Sequence, residues 1–148
     1  MARDAWSDCY VDTSALIKRY LEETGSDEFE AFCELPGVRR LVSQLGSSEL
    51  TSALQRRVRL GLLTSGQAVR ARHRFLVDVA ANGWTMLDFD GGVFGRAEDL
   101  MLNLGAPLTT LDALHLASAM LNGASEFATA DRQLATAARK AKLRVHTF

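Results

Sequence analysis

Residues 9–20, CYVDTSALIKRY, join a short apolar run to a helical pattern through one aspartate, Asp12. The apolar run before Asp12 is typical of a buried strand, whereas Leu16 and Tyr20 are spaced as on one face of a helix. The stretch therefore predicts a strand that passes directly into a helix, with a carboxylate at the junction. Such a unit is typical of α/β folds, in which strands and helices alternate.

The rest of the chain repeats this alternation. Further strands are predicted at residues 40–43, 84–87, 126–129 and 144–147, and helices at residues 13–21, 26–34, 47–60, 64–81, 90–104, 111–121 and 131–140. Strands that alternate with helices favour parallel pairing, with helices on both faces of the sheet. We expect one domain over residues 1–148, a three-layer α/β/α sandwich with a mainly parallel central sheet.

The composition sets limits on function. The 148 residues carry a formal net charge of −1, so no overall basic field attracts nucleic acid, and any such binding needs a local basic patch. The two cysteines do not have the spacing of metal ligands, and Cys9 is predicted to be a core residue. With no apolar leader and no run long enough to span a bilayer, we expect a cytoplasmic protein without membrane contact.

Four acids occupy similar places in the predicted fold. Asp12 follows the first strand and Asp131 follows the fourth, while Glu49 falls in the first turn of the helix after the second strand. Asp112 begins the most apolar helix. Because ligands of open α/β sheets bind outside the carboxyl ends of the strands, we expect these four side chains to converge there.

Each acid taken alone is better explained as a helix cap than as a functional residue, since carboxylates accept the free N–H groups of a first helical turn. Four carboxylates in one cleft would repel one another, and a hard divalent cation removes that penalty. Oxygen ligands favour Mg²⁺ or Mn²⁺ over Zn²⁺. Such an ion activates water for attack on a phosphodiester, so the set predicts phosphoryl chemistry.

Three stretches resemble motifs of the PIN-domain toxins of the VapC family: residues 10–20 around Asp12, residues 111–117 around Asp112, and residues 128–134 around Asp131. The short segment Ser48-Glu49-Leu50 lies where that family carries its second acid. The resemblance extends over residues 9–148.

The resemblance implies a Mg²⁺- or Mn²⁺-dependent endoribonuclease that forms a homodimer and is inhibited by a VapB-type antitoxin. It implies that the four acids surround the metal, with Asp12 and Asp112 as the first ligands. Ser14 and Thr129 match small hydroxyl positions that support the acidic cluster, although capping of nearby helices explains them equally well.

Several other side chains are candidates for secondary roles. Arg56, Arg57 and Arg59 form a dense basic run that is able to hold RNA phosphates near an acidic site, or simply to face solvent. His115 lies three residues after Asp112, on the same helix face, and is predicted to be a buried, hydrogen-bonded histidine rather than a metal ligand.

Two alternatives remain open. A phosphatase of the haloacid-dehalogenase type needs a second aspartate two positions after the first, and Ser14 stands there instead. A PIN-like module that has lost catalysis and binds RNA or protein does not need all four acids, yet the sequence retains them.

Overall fold

The structure is a computed structural model that describes residues 6–148; residues 1–5, which the predicted domain includes, lie outside the described part. Its five strands form one sheet in which every pair is parallel, in the order β3-β2-β1-β4-β5. The strands are β1 (Ser7–Val11), β2 (Val38–Ser43), β3 (Thr85–Leu87), β4 (Glu126–Thr129) and β5 (Arg144–Thr147).

Helices connect these strands along the chain. They are α1 (Thr13–Leu16), α2 (Ser26–Cys33), α3 (Gln44–Arg59), α4 (Ser65–Ala80), α5 (Gly92–Asn103), α6 (Thr110–Leu121) and α7 (Arg132–Lys140). A single 3-10 turn, Ile17–Arg19, continues α1, so the first helix is shorter than the pattern predicts.

Side chains that alternate along the strands build one core on each face of the sheet. Val11 packs with α1 to α4 on one face, in a cluster that includes Leu50 and Phe75. Tyr10, the preceding residue, faces the other side and packs with α5 to α7. Burial on both faces stabilises the parallel sheet and confirms the predicted α/β/α sandwich.

Helix α6 has the strongest apolar character, and it is buried from Ala113 through Ala119, as predicted. Its first turn is less buried and places Asp112 at the edge of the protein. Among the helices of residues 6–148, none combines the length and apolar character that crossing a bilayer requires.

The start of α3 corrects one prediction. Ser43 caps this helix, because its hydroxyl accepts a hydrogen bond from the Gly46 N–H at 3.3 Å. Gly46 permits the tight passage from β2, since a Cβ atom there would lie 3.2 Å from Val42 Cγ1. The helix therefore begins at Gln44, and Glu49 lies in its second turn rather than its first.

Candidate active site

The sheet order places two of the predicted acids side by side. β1 is the central strand, with β2 on one side and β4 on the other, so the winding direction of the chain reverses between β1 and β4. Asp12 follows β1 and Asp131 lies two residues after the end of β4. Such a switch point at the carboxyl ends of parallel strands is the usual ligand site of open α/β sheets.

Asp12 is held by several donors at once. Its side chain is buried, and its Oδ1 accepts the Ala15 N–H at 3.0 Å, which caps α1. Thr129 Oγ1 donates to Oδ2 at 2.6 Å, and Ser14 Oγ lies 2.8 Å from Oδ1 and 3.0 Å from Oδ2. Ser14 has one proton to donate, so one lone pair of the carboxylate stays available.

The same two hydroxyls connect Asp12 to the loop after β4. Ser14 Oγ accepts the Ala130 N–H at 2.9 Å, and Thr129 Oγ1 accepts the Asp131 N–H at 3.0 Å. Each hydroxyl thus accepts a hydrogen bond from this loop and donates one to Asp12. The position of the first acid is therefore coupled to the backbone that carries the fourth.

Burial governs the charge of Asp12. Loss of water around the carboxyl raises its pKa, and the hydrogen bonds from Thr129 and Ser14 and the nearby His115 only partly counter this effect, so the pKa stays above its usual range. An uncompensated charge is costly here. A cation beside Asp12 would remove that cost.

Glu49 reaches the site from α3 and is fixed by α1 and α6. Thr13 Oγ1 donates to Glu49 Oε1 at 2.8 Å, and His115 Nε2 forms a short hydrogen bond with the same oxygen. Burial acts to raise the pKa of Glu49, but the hydrogen bond and charge of His115 and the bond from Thr13 outweigh it and leave the pKa lowered. Glu49 is thus held as a carboxylate.

A chain of buried polar groups supports His115. Tyr10 OH lies 2.7 Å from His115 Nδ1 and 2.8 Å from Ser43 Oγ. Nε2 of His115 thus bonds Glu49 and Nδ1 bonds Tyr10, whose hydroxyl in turn bonds Ser43. His115 is buried and hydrogen-bonded, as predicted.

Sequence patterns did not identify Tyr10 and Thr13 as part of the site. The spacing of His115 from Asp112 placed it on the correct helix face, but nothing in the sequence indicated its partner on α3. The contact depends on how α3 and α6 pack across the end of the sheet, which local spacing does not determine.

Asp112 and Asp131 form the more open side of the site. Thr109 caps α6 and accepts the Asp112 N–H at 3.3 Å, while Asp131 caps α7 by accepting the Leu134 N–H at 3.0 Å. Asp131 is therefore a helix cap, and capping uses only one of its two carboxylate oxygens. One carboxylate serves as a cap without losing its second oxygen.

The pKa of Asp112 is raised above its usual value by burial and by neighbouring negative charges. Burial raises this pKa, a hydrogen bond with Thr109 opposes the rise, and the negative charges of Asp131 and Glu49 add to it. Asp112 therefore lies within electrostatic reach of Asp131 and Glu49.

The spacing of the acids bears on which cation fits. Among residues 6–148, no three of the four acids bring carboxylate oxygens within 4.8 Å of one another. Mg²⁺ usually keeps several waters and takes only one or two carboxylates directly, so a wider, all-oxygen set suits it. The accumulated charge and the donor chemistry both fit a hydrated divalent cation.

Comparison with known proteins identifies the family. The family model described as "PIN domain" matches residues 9–140. The chain belongs to the PIN-domain family. This confirms the resemblance carried by the three acidic motifs, and the matched range contains all four acids.

The fold of this PIN domain recurs in solved structures. VapC20 of Mycobacterium tuberculosis, a sarcin–ricin loop cleaving toxin, is 15% identical, with a TM-score of 0.67 over 87% of this chain and 94% of that one. PAE2754 of Pyrobaculum aerophilum is 21% identical, with a TM-score of 0.67 over 94% and 83%. VapBC2 of Rickettsia felis, bound to a promoter DNA fragment, is 12% identical, with a TM-score of 0.64 over 95% of this chain and 98% of that one. No curated protein matches the sequence.

Two grooves meet beside the acids of this PIN domain. One, of about 480 Å³, is lined by Arg132 and Arg139 of α7. The other, of about 330 Å³, is lined by Lys18 and Arg57. Ala130, in the loop after β4, lines both, so the two grooves form a basic track that runs past the site.

The track differs from the predicted basic run. Of that run, Arg57 lines the second groove and pairs with Glu23 at 3.3 Å, while Arg56 and Arg59 are exposed on α3. Arg132 was not predicted for this role. It directly follows Asp131, and its position became visible only with the packing of α7 against the sheet.

Proposed function

We propose that this PIN domain is a Mg²⁺-dependent endoribonuclease toxin of the VapC type, which hydrolyses RNA phosphodiester bonds at Asp12, Glu49, Asp112 and Asp131. The observation that carries the proposal is the hydroxyl-supported position of Asp12 beside Asp131 at the switch point of the sheet. Mn²⁺ is an alternative ion with the same ligand preference.

Asp12 and Asp112 would be the first to hold the cation, and Glu49 and Asp131 complete its surroundings. When bound, the ion supplies a polarised phosphoryl group and a water of lowered pKa. Ser14 and Thr129 keep the Asp12 carboxylate oriented toward the ion.

The chain itself also handles a proton. Thr13 and His115 both occupy Oε1 of Glu49, and among residues 6–148 no hydrogen bond engages Oε2. That oxygen is available to orient an attacking water or to accept its proton. His115 keeps the carboxylate ionised for this role.

RNA is the substrate that the surface favours. The basic track past the acids carries lysine and arginine side chains that would bind phosphates, which gives affinity without base readout. A nuclease role is supported by the similar fold of VapC20, a sarcin–ricin loop cleaving toxin.

The toxin role brings two protein partners. We expect a VapB-type antitoxin whose basic side chain enters the acidic cluster and competes with the metal, because solved neighbours include VapBC complexes. We also expect a cytoplasmic homodimer. Helix α5 offers a surface for it, since Phe94 is 52% and Leu102 is 80% exposed.

The test is cleavage of RNA by purified protein in Mg²⁺ and in EDTA. Wild type should cleave only with the ion, and Asp12→Ala and Asp112→Asn should be inactive. Asp99→Asn, which changes an exposed acid on α5, should cleave like wild type. Cleavage that persists in EDTA and in both variants contradicts the metal mechanism.

A wild type that binds RNA but never cleaves it would instead support a PIN-like binding module. The antitoxin is tested separately, by co-expression with the neighbouring small open reading frame. No complex and no relief of toxicity would contradict the toxin–antitoxin role while leaving the nuclease intact.

A further inference from the structure

A second group of metal-ligating side chains lies away from the four acids. Cys9 of β1 and Glu126 of β4 are register partners, and His146 of β5 pairs with Ala128, two residues further along β4. All three side chains project from the same face of the sheet, the one that α2 covers, where Phe32 packs 5.1 Å from the His146 ring. The group therefore joins three adjacent strands.

Its geometry is compact. One ligand atom from each residue, the thiol of Cys9, a carboxylate oxygen of Glu126 and a ring nitrogen of His146, lies within 4.8 Å of the other two. Glu126 and His146 form a short hydrogen bond. Among residues 6–148, this is the only group of three such side chains that meets this distance.

Cys9, Glu126 and His146 are largely buried, although the acidic site does not use them. Cys9 is 0% and Glu126 is 7% exposed, and His146 retains 22% of its side-chain surface. In the described part of the chain, no hydrogen bond joins these three side chains to Asp12, Ser14 or Thr129. Burial of charged groups costs stability unless a partner compensates for it, and apolar side chains would fill the same space more cheaply.

The hydrogen bond between Glu126 and His146 does not explain Cys9. The thiol makes one weak hydrogen bond, to the carbonyl oxygen of Tyr10 at 3.7 Å, and burial, with a smaller contribution from the Glu126 carboxylate, raises its pKa. Arg40, its register partner on β2, directs its guanidinium to the carbonyl oxygens of Phe32 and Leu35. A ligand that prefers sulfur, nitrogen and oxygen together would account for all three residues.

We propose that Cys9 Sγ, Glu126 and His146 Nε2 bind one Zn²⁺, which cross-links β1, β4 and β5. Sulfur and imidazole ligands select Zn²⁺ over Mg²⁺. The Cys9 site would therefore bind Zn²⁺, whereas the four-acid site would bind Mg²⁺. A tetrahedral ion needs its ligand atoms roughly 3.3–3.8 Å apart, so the hydrogen-bonded pair of Glu126 and His146 must open and the Cys9 thiol must stay within its present range. Water enters as the fourth ligand from the His146 side.

The charges balance in this site. Binding breaks the S–H bond of Cys9 and releases that proton to solvent, while the Nε2 proton that bonds Glu126 is exchanged through solvent so that His146 coordinates as the neutral tautomer protonated at Nδ1. The thiolate and the Glu126 carboxylate then neutralise the two positive charges of the ion. The ion and its three protein ligands then carry no net charge, and the neighbouring Arg40 guanidinium is held separately by the carbonyl oxygens of Phe32 and Leu35.

The experiment uses the full chain, freed of metal by dialysis and titrated with Co²⁺ and Zn²⁺. Co²⁺ should give a thiolate charge-transfer absorption, displaced by one equivalent of Zn²⁺. The chain has only two cysteines, so Cys9→Ala should lose the absorption and the matched Cys33→Ala should keep it. Asp12→Asn should keep it too, which separates this site from the proposed nuclease site.

A stability readout covers the case in which Cys9→Ala folds poorly. Zn²⁺ should raise the Tm of wild type and of Cys33→Ala by several degrees, and leave His146→Ala, changed at the rim of the site, unshifted. Absence of the thiolate absorption in wild type overturns the proposal. So does an equal Zn²⁺-induced shift in wild type and His146→Ala.

Discussion

Two halves of the acidic site are built differently. Asp12 and Glu49 lie among hydroxyls and a histidine whose hydrogen bonds extend to Tyr10 and Ser43, whereas Asp112 and Asp131 stand at helix beginnings that reach the surface. The interior half has its geometry set before any ion arrives. The open half keeps free oxygens and adjoins the basic track, so it is suited to meet the ion and the substrate.

The largest difference in cleavage rate should appear between variants of Asp12, in the interior half, and Asp131, in the open half. Asp12→Asn should reduce Mg²⁺-dependent cleavage by more than about 100-fold, beyond the loss that changes to residues around a metal's ligands usually cause. Asp131→Asn should lose only about 10-fold, because the amide oxygen still caps α7. Initial rates on one RNA substrate measure both. Equal losses would remove the distinction between Asp12 and Asp131; Asp112, which we expect to be a first ligand, is needed for cleavage although it lies in the open half.

The hydroxyls that hold Asp12 should come next. Thr129→Val should lower cleavage about 10- to 100-fold, since it removes the donor to Asp12 Oδ2 and the acceptor for the Asp131 N–H. Thr51→Val is the matched control, because among residues 6–148 that hydroxyl lines neither groove and bonds only the Ser47 carbonyl oxygen at 3.2 Å and the exposed Arg72 at 3.1 Å. If both variants cleave alike, Thr129 does not position the acid.

Charge repulsion in the open half should lower the free energy of unfolding when no metal is bound. In EDTA, Asp112→Asn should be more stable than wild type at neutral pH, by no more than about 1 kcal/mol because solvent screens this group. The folded pKa of Asp112 is raised above its ordinary 3.8, so wild type loses stability as pH rises through that pKa. The advantage of the variant should grow from pH 4 toward neutrality.

Urea unfolding across this pH range measures the effect, and saturating Mg²⁺ should reverse the order at neutral pH. A variant that is less stable than wild type in EDTA would show that Asp112 is not under charge repulsion.

The smallest effects belong to the basic track. Arg132→Gln should weaken RNA binding and reduce its salt slope by about one, since each phosphate contact contributes about that much. Arg96→Gln, an exposed arginine of α5, is the control and should bind like wild type. Binding measured at several salt concentrations tests this, and an unchanged slope for Arg132→Gln contradicts the track.

The comparison also marks what sequence patterns predict well. The apolar run before Asp12 and the apolar character of α6 led to the parallel sandwich, because burial on both sheet faces leaves a pattern along the chain. The β5 boundaries, residues 144–147, were predicted correctly. The position of Glu49 in its helix was not, since the cap at Ser43 lies inside the predicted strand.

The interior network was largely invisible in sequence. Ser14 and Thr129 were found through motif resemblance, but their joint contact with Asp12 spans more than a hundred residues of chain. Tyr10 has the pattern of a core residue, and its hydroxyl gains a role only because β1 places it beside α6. Long-range contacts of this kind depend on tertiary packing.

The most direct measurement is Mn²⁺ binding followed by electron paramagnetic resonance in wild type, Asp12→Asn, Asp112→Asn and the surface control Asp99→Asn. If the four carboxylates form one cation site, Asp99→Asn should bind like wild type and each site variant should bind at least about 10-fold more weakly. Mn²⁺ binding that is unchanged in both site variants would show that these acids do not share a cation.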